Sequence, residues 1–427
     1  MIKEKKGFLV KTRNIVSIEI GDKTLKLAYL KVTSDKKEVI NIAAYDIIDV
    51  KDDVIVSKIK EFIKSQHINK AEVINVIPSN FAISKNIEIP SSDEREIRDI
   101  IELQAGRHTP YSREEIIMDY AEIGISHNRY TKVLLTIIKR DIVVRRYELI
   151  KKAGFKAERA VLASEAILLL CSSFLESQAK DKPIAIVHID GTHMDFIVGH
   201  NDRCVYTRSM PMDIVRLFSG EADEKQKCLE ELKKSVESYK AENIEELPSL
   251  IYFSGTVDAF TKMKEDINDF FRMNIEVLFY YNMLSVSDAI KGKIKDNPCI
   301  SFLSVVSCAY ILEAIRLNLI PEDVRMRKEI KRQAKRIVRM GILAMAVIVF
   351  FCVTLLMDMF FKKIYLRTLL LSYTKESQEA SKLKDILEKT RIVKRFLDQK
   401  ERSLFVLTEL FKAMPQEIYL NSISLGQ

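Results

Sequence analysis

The sequence predicts an α/β chain in which two tandem β-β-β-α-β units face each other across a cleft, followed by one membrane-spanning helix and a helical arm. Three observations predict it. One strand-and-helix pattern occurs twice ahead of Leu317. The run Met340–Phe361 is apolar except for Thr354 and Asp358. Apolar residues between Leu383 and Met414 fall at alternating spacings of three and four.

Residues 1–13 read as a tail. In the first unit (14–183), Asn14–Ile20, Thr24–Val32 and Glu38–Ile48 are expected strands, with turns at Gly21-Asp22-Lys23 and at residues 34–37. Leu25, Leu27 and Tyr29 alternate with Thr24, Lys26 and Ala28, the period of a half-buried strand. An amphipathic helix over Asp53–Gln66 and a buried strand at Glu72–Ile77 complete the pattern.

An insert of about 84–150 follows. Ser91 and Glu94 have capping-box spacing ahead of a helix to about Gly106. Pro110 ends helical continuity. Ile116–Ile123 and Tyr130–Ile138 read as paired strands, and Asp141–Ala153 as a helix stopped by Gly154. Val161–Leu175 reads as an apolar helix returning to the first unit.

The second unit (184–316) repeats the pattern: strands at Ile184–Ile189, Met194–Val198 and Cys204–Ser209, a helix over Asp223–Glu242, a strand at Leu250–Ser254, a helix at Asp258–Arg272 and a strand at Glu276–Phe279. Ser301–Leu317 reads as a closing apolar helix. Two such units in tandem predict an actin-like, ribonuclease-H-like two-lobed fold with an inserted subdomain.

Residues 317–339 form a short peptide and a basic segment. Between 325 and 339 stand Arg325, Arg327, Lys328, Lys331, Arg332, Lys335, Arg336 and Arg339 against the single acid Glu329. This stretch accounts for nearly all of the chain's formal net charge of +8. The rest is close to neutral, which is no nucleic-acid profile. As a helix, 340–361 spans about 33 Å, enough to cross a bilayer core. The basic flank predicts a single pass with the N-terminal part in the cytoplasm and the C-terminal part on the far side of the membrane. It also suits contact with anionic lipid. Asp358 falls near the outer interface, where an acid is tolerated.

Beyond the membrane, 362–414 reads as helical, with 362–402 as the coiled-coil arm and the same apolar spacing running on into 403–414. Leu383, Ile386, Val393, Leu397, Leu404, Leu407, Phe411 and Met414 mark its seam, interrupted by Thr390 and Lys400. In 403–427, Ile418–Leu425 reads as one strand of a domain not otherwise represented, because a lone strand is not stable. The six cysteines contain no CxxC, and the six histidines no HExxH, so neither a metal site nor a redox motif is expected.

This order of elements resembles PilM, the cytoplasmic actin-like family of type IV pilus assembly, over residues 14–316. The resemblance rests on Asn14 to Gly21 through Lys26, on Glu88-Ile89-Pro90, Gln104 to Pro110 and Asp119-Tyr120, and on Tyr147 to Phe155. The stretch Leu317-Asn318-Leu319-Ile320-Pro321, with its basic segment, span and coiled coil, resembles the PilN family. In that family such a peptide docks into a groove on PilM. The resemblance therefore implies a PilM–PilN fusion whose incomplete last domain would be ferredoxin-like. Leu317, Leu319 and Ile320 would be buried anchors and Asn318 a backbone-bonding residue. The peptide's attachment directly to a helix makes self-docking sterically hard, which leaves exchange between neighbouring copies, and hence a homo-oligomer, open. The GspL family of type II secretion has a similar layout.

The PilM resemblance also implies a nucleotide cleft, and the expected motifs are altered. Glu19-Ile20-Gly21 stands where an Asp-Ile-Gly is expected. His188-Ile189-Asp190-Gly191 sets His where Asp is expected, with Asp190 two residues on and on the same strand face. Ser254-Gly255-Thr256 keeps one glycine of an expected three. The candidate site is Glu19, Gly21, Lys26, Asp190, Gly191 and Gly255. It is expected to be a degenerate, structural cleft with no catalytic residue and no cofactor, the alternative being an ATP- and magnesium-binding switch that signals across the membrane. The function expected is a membrane scaffold of a type IV pilus or related type II secretion machine. Its expected partners are a PilO-like protein on the arm and an assembly ATPase and platform protein in the cytoplasm. An FtsA-like division protein shares the inserted-subdomain plan but anchors by an amphipathic helix rather than a span.

Overall fold

The computed structural model describes residues 12–33, 36–68, 70–126, 130–175, 182–242, 247–248, 250–257, 267–268, 274–415 and 422–424. It divides into two units, Met1–Lys328 and Glu329–Gln427.

The first unit opens with β1 (Arg13–Ile20), β2 (Thr24–Val32), β3 (Lys37–Asp46), α1 (Asp52–Ser65) and β4 (Glu72–Ile77). A second segment carries β5 (Ala82–Ile89), α2 (Glu94–Gln104), β6 (Ile116–Ser126), β7 (Tyr130–Lys139), α3 (Arg140–Lys152), β8 (Ala157–Leu162) and α4 (Ala163–Phe174). The second lobe holds β9 (Ile184–Asp190), β10 (His193–His200), β11 (Arg203–Pro211), α5 (Ile214–Phe218), α6 (Ala222–Ala241), β12 (Leu250–Gly255), β13 (Asn274–Leu278), α7 (Tyr280–Met283), α8 (Asp288–Lys295) and α9 (Leu303–Tyr310).

The two lobes have the same sheet. The first runs β3-β2-β1-β4-β8 and the second β11-β10-β9-β12-β13. In each, an antiparallel hairpin set leads into parallel neighbours: β1 pairs antiparallel with β2 and parallel with β4, and β9 pairs antiparallel with β10 and parallel with β12. Helices α4 and α9 lie between the sheets. Ala166, Ile167 and Leu170 of α4 and Val305 and Cys308 of α9 share one core with Ala28 and Ile74 of the first sheet and Ile186 and Tyr252 of the second. Helices apolar all round are those with neighbours on every side. A small third sheet, β5-β7-β6, forms the insert, with Ile97 and Ile101 of α2 on its inner face.

Several expectations are corrected. The apolar helix expected from Val161 begins instead as the edge strand β8, with α4 starting at Ala163; Val161 and Leu162 pair with Val76 and Ile77 of β4. The insert's sheet starts at Ala82, and α3 belongs to the first lobe, since Leu149, Ile150 and Ala153 pack with Ile55, Ile59 and Phe62. Asp93 caps α2 rather than Ser91: its Oδ1 accepts the N–H of Arg95 (2.9 Å) and Glu96 (3.2 Å). The closing helix stops at Tyr310, well short of Leu317. The Arg159 guanidinium donates to the carbonyls of Leu312 (2.6 Å) and Ile315 (2.7 Å), and the Glu165 carboxylate takes the next free amides, so side chains replace the helical ladder. The helix expected over Asp258–Arg272 lies outside the described residues apart from 267–268, and the strand expected at Ile418–Leu425 apart from 422–424, which are irregular.

The second unit is the greater part of α10 (Glu322–Ala413). Among the described residues it holds one stretch long and apolar enough to cross a membrane, within Gln333–Ala413, with a mean hydropathy of 2.7. The apolar side chains of 340–361 are exposed throughout.

Candidate functional site

Two sites emerge in the first unit. One is the cleft where β1 and β9 end. Lys26 sits directly across the β1–β2 ladder from Glu19. Its Nζ lies 2.5 Å from Glu19 Oε1 and in close contact with Asp190 Oδ2, which projects from the end of β9 in the other lobe. The same ammonium donates to Ser304 Oγ (3.1 Å) and to the Ser301 carbonyl (3.2 Å) at the start of α9. Asp190 Oδ1 accepts the Ser301 N–H at 3.0 Å. All three charged side chains are at most 5% exposed. Burial alone would lower the Lys26 pKa, but Asp190 and then Glu19 outweigh it and hold the ammonium charged. Burial likewise opposes ionisation of Asp190, and the Lys26 charge reverses that, so its pKa ends below the ordinary value.

The glycine turns around this triad are occupied. The Gly21 N–H donates to the Thr24 carbonyl (2.9 Å), and the Gly191 N–H to the Cys299 carbonyl (3.0 Å). Amides committed in this way do not point at a phosphate. His188, where the resemblance expects an acid, is 1% exposed, and burial pushes its pKa down to about 3, so it is neutral. Among the described residues neither ring nitrogen has a partner. Gly255 has φ +93°, and a Cβ there would stand 2.2 Å from the Ile189 carbonyl and 2.9 Å from His188 Nδ1. Glycine is required at this position by the packing of the second lobe itself. The structure thus brings Glu19, Gly21, Lys26, Asp190 and Gly191 together around a cavity of only ≈30 Å³, and Gly255 is not on its lining. Such a volume suits a water or two, against the ~300 Å³ or more of an ordinary ligand pocket.

The second site lies where β8, the edge of the first sheet, meets the insert, and residues 316–321 of the same chain fill it. Leu317 and Leu319 are fully buried, Ile320 is 3% exposed and Pro321 is also buried. They pack with Ile77, Ile117, Ile138, Val143 and Leu162. The backbone is bonded from three directions. The Leu319 N–H donates to the Ala160 carbonyl of β8 (2.8 Å), and the Ala160 N–H returns a bond to Asn318 Oδ1 (3.1 Å). The Asn318 carboxamide therefore stands in for the main-chain acceptor that an added strand would offer. The Asn318 N–H donates to Asp119 Oδ2 (2.8 Å), and the amides of Arg316 (2.9 Å) and Leu317 (3.1 Å) donate to Glu165. Arg325 bonds the Asn318 carbonyl at 2.9 Å. Burial pushes the Glu165 pKa up to about 7, held back by those two amides, and raises that of Asp119 against the pull of the Asn318 N–H. Exposed pairs of Arg113 with Glu322 (3.1 Å) and Arg140 with Asp323 (2.5 Å) hold the first turn of α10 beside the groove.

Glu165, Asp119, Ala160 and Arg159 are the residues of this site that sequence reasoning did not single out for it. Asp119 stood in a noted motif. Glu165, an acid inside an otherwise apolar helix, is the signal that was legible.

Residues 14–217 match the family model of the type IV pilus assembly protein PilM. That segment, just under half of the chain, is similar to the PilM family. Among solved structures, the chain is similar to a PilM-PilN type IV pilus biogenesis complex, with 14% identity over 71% of this chain and 99% of the other and a TM-score of 0.59. It is also similar to a Bacteroides thetaiotaomicron protein of actin-like ATPase fold and unknown function (10% identity, 66% and 96% covered, TM-score 0.41). A third is the cytoplasmic domain of EpsL, an inner membrane component of the type II secretion system of Vibrio cholerae (13% identity, 56% and 81% covered, TM-score 0.36). At 14% identity the likeness to the first of these is one of fold.

Proposed function

We propose that this chain is an inner-membrane scaffold of a type IV pilus or related type II secretion machine, in which a PilM platform and a PilN-like peptide, span and arm are one polypeptide. The observation that carries this reading is the peptide Leu317–Pro321 seated on the edge of β8 in its own chain. Separate proteins must find each other to make that contact. A tethered peptide meets its groove at an effective concentration on the order of millimolar. The structure differs here from the expectation that self-docking would be sterically hard. The chain leaves α9 at Tyr310, and the irregular residues between there and Leu317 supply the linker that a helix running to Leu317 would have removed.

In this reading the basic segment 325–339 keeps the PilM lobes cytoplasmic, 340–361 crosses the membrane beside anionic lipid, and the arm meets a PilO-like protein in the periplasm. An assembly ATPase and a platform protein are the cytoplasmic partners. The cleft is structural rather than catalytic: its one lysine is committed to two acids, Glu19 and Asp190, and its turn amides are committed as well. Two measurements test the reading. Replacing Leu317, Leu319 and Ile320 by Asp should expose 317–339 to protease while the protein stays in the membrane; unchanged cleavage would count against docking. Calorimetry of the purified chain with Mg·ATP should give a flat titration, and a saturable one would favour the nucleotide switch instead.

A further inference from the structure

A cavity of ≈330 Å³ lies in the first lobe, on the side of β1 away from the cleft. Glu19 and Ile20 are neighbours in β1 and point to opposite faces of the sheet, so the two cavities share only the turn Gly21-Asp22. The volume is at the small end of ordinary ligand pockets, ~300–1,000 Å³. Three segments give it an aliphatic wall: Ile47 and Val50 after β3, Ile55 of α1 and Leu149 of α3.

Its polar part is built around Arg146, which is 6% exposed. The guanidinium lies over the Phe81 ring at 4.2 Å. Its Nε donates to the Ile20 carbonyl (2.7 Å) and its Nη1 to the Ile142 carbonyl (3.0 Å), which uses two of its five N–H groups. The neighbouring Arg145 is paired with Asp52 (2.9 Å), whereas among the described residues no carboxylate pairs with Arg146. A buried cation is ordinarily paired, and a carboxylate is the partner that takes a guanidinium by two parallel bonds.

Two acids, Asp22 and Asp141, line the same cavity and are exposed at its mouth. They decide the class of ligand. A simple anion would reach Arg146 only past two carboxylates, and a simple cation would meet the guanidinium at the floor. A zwitterion suits both. Asp22 is the acid that acts most strongly on Arg146, so the opposite charges of the site are close together, as they are in a molecule that carries both on one carbon.

We propose that this cavity binds an apolar α-amino acid, with its carboxylate on Arg146, its ammonium toward Asp22 and Asp141, and its side chain among Ile47, Ile55 and Leu149. The aliphatic wall supplies affinity, and the two kinds of charge reject molecules that carry only one of them.

The probe is L-leucine, titrated by calorimetry at neutral pH into the full-length chain in detergent. Three controls each lack one feature: isocaproate has no ammonium, isoamylamine no carboxylate, and serine no aliphatic side chain. Leucine should bind saturably with a Kd of about 1 mM or tighter, and each control at least about tenfold more weakly. Arg146 also ties α3 to the end of β1, so the variant that carries the test is at the mouth. Asp22→Asn with Asp141→Asn should bring the preference for leucine over isocaproate from at least about tenfold to near one. A flat leucine titration overturns the proposal. So does equal binding of leucine and isocaproate to the natural chain, which would make the cavity a plain carboxylate site. Leucine binding that the mouth variant leaves unchanged would put the ligand elsewhere and overturn it as well.

Discussion

The cleft and the peptide groove lie in the same unit, and the chain fills both from within, by opposite means. The cleft is filled by charge: Lys26 bridges Glu19 from its own lobe and Asp190 from the other. The groove is filled by apolar side chains, with two acids, the buried Glu165 and the half-buried Asp119, receiving the amides that the peptide brings. Their linkage to pH therefore has opposite sign. Asp190 is depressed below its ordinary pKa by Lys26, so its contribution is present above the unfolded value of 3.8 and is lost as pH falls through the folded one. Glu165 is raised, so its contribution is present below the unfolded value of 4.5 and is lost as pH rises to about 7. A contact made of one lysine shared by two acids joins the lobes above the carboxylate range and weakens as pH falls. A contact made of apolar anchors and raised acids holds a segment that a proton can loosen or tighten.

The sharpest way to break this contrast is at Lys26. Lys26→Met leaves two buried carboxylates without a counter-ion and should cost about 3–5 kcal/mol, read by pulse proteolysis of the detergent-purified chain. Adding Glu19→Leu and Asp190→Leu to it should recover most of that loss, because apolar groups of similar volume replace a buried ion network with little net cost. Recovery that failed would mean that the triad does more than join the lobes.

In the groove, Leu319→Ala removes a fully buried side chain and should cost about 2–5 kcal/mol, confined to the peptide and the segment after it. Hydrogen exchange would show faster exchange of the Ala160 and Leu319 amides with the sheet amides of β1 and β4 unchanged. Loss of protection through the whole lobe would show that the groove is part of the core rather than a docking site.

The smallest effect sharpens the difference in sign. Glu165→Gln keeps an acceptor for the amides of Arg316 and Leu317 and removes the titration. Between pH 4.5 and about 7 the natural protein should lose up to about 3 kcal/mol of stability from this group. The variant should lose less over that range, with the residual slope coming from Asp119, whose pKa is raised as well. Equal slopes would assign the pH response elsewhere.

Much of the fold was legible because each lobe advertises itself locally. Alternation in Leu25, Leu27 and Tyr29 marks a strand, and Gly21-Asp22 and Gly191-Thr192 mark the turns around it. β8 was not legible for an equally physical reason. Ala160, Val161 and Leu162 run without punctuation into Ala163 and the apolar helix α4, and periodicity cannot divide a buried strand from a buried helix. The early end of α9 is imposed by Arg159 and Glu165, some 150 residues away in the chain, and no local signal carries it. The same holds for the cleft. Glu19, Lys26 and Asp190 were each visible as candidates, but sequence alone does not say that Lys26 reaches Asp190 across 164 residues and uses up the charge that a nucleotide would need. In the groove the anchors Leu317, Leu319 and Ile320 could be named from the sequence. Their acceptors Asp119 and Glu165 are defined by the tertiary fold.

The central claim is that this PilM-like platform carries its own groove-filling peptide. A fluorescent peptide of residues 314–324 titrated into the full-length protein tests it most directly. A groove filled by its own chain predicts no binding to the natural protein, and saturable binding once Leu317→Asp and Leu319→Asp have released the tethered copy. Binding of equal affinity to both forms would contradict the account, because the groove would then stand open in the natural protein.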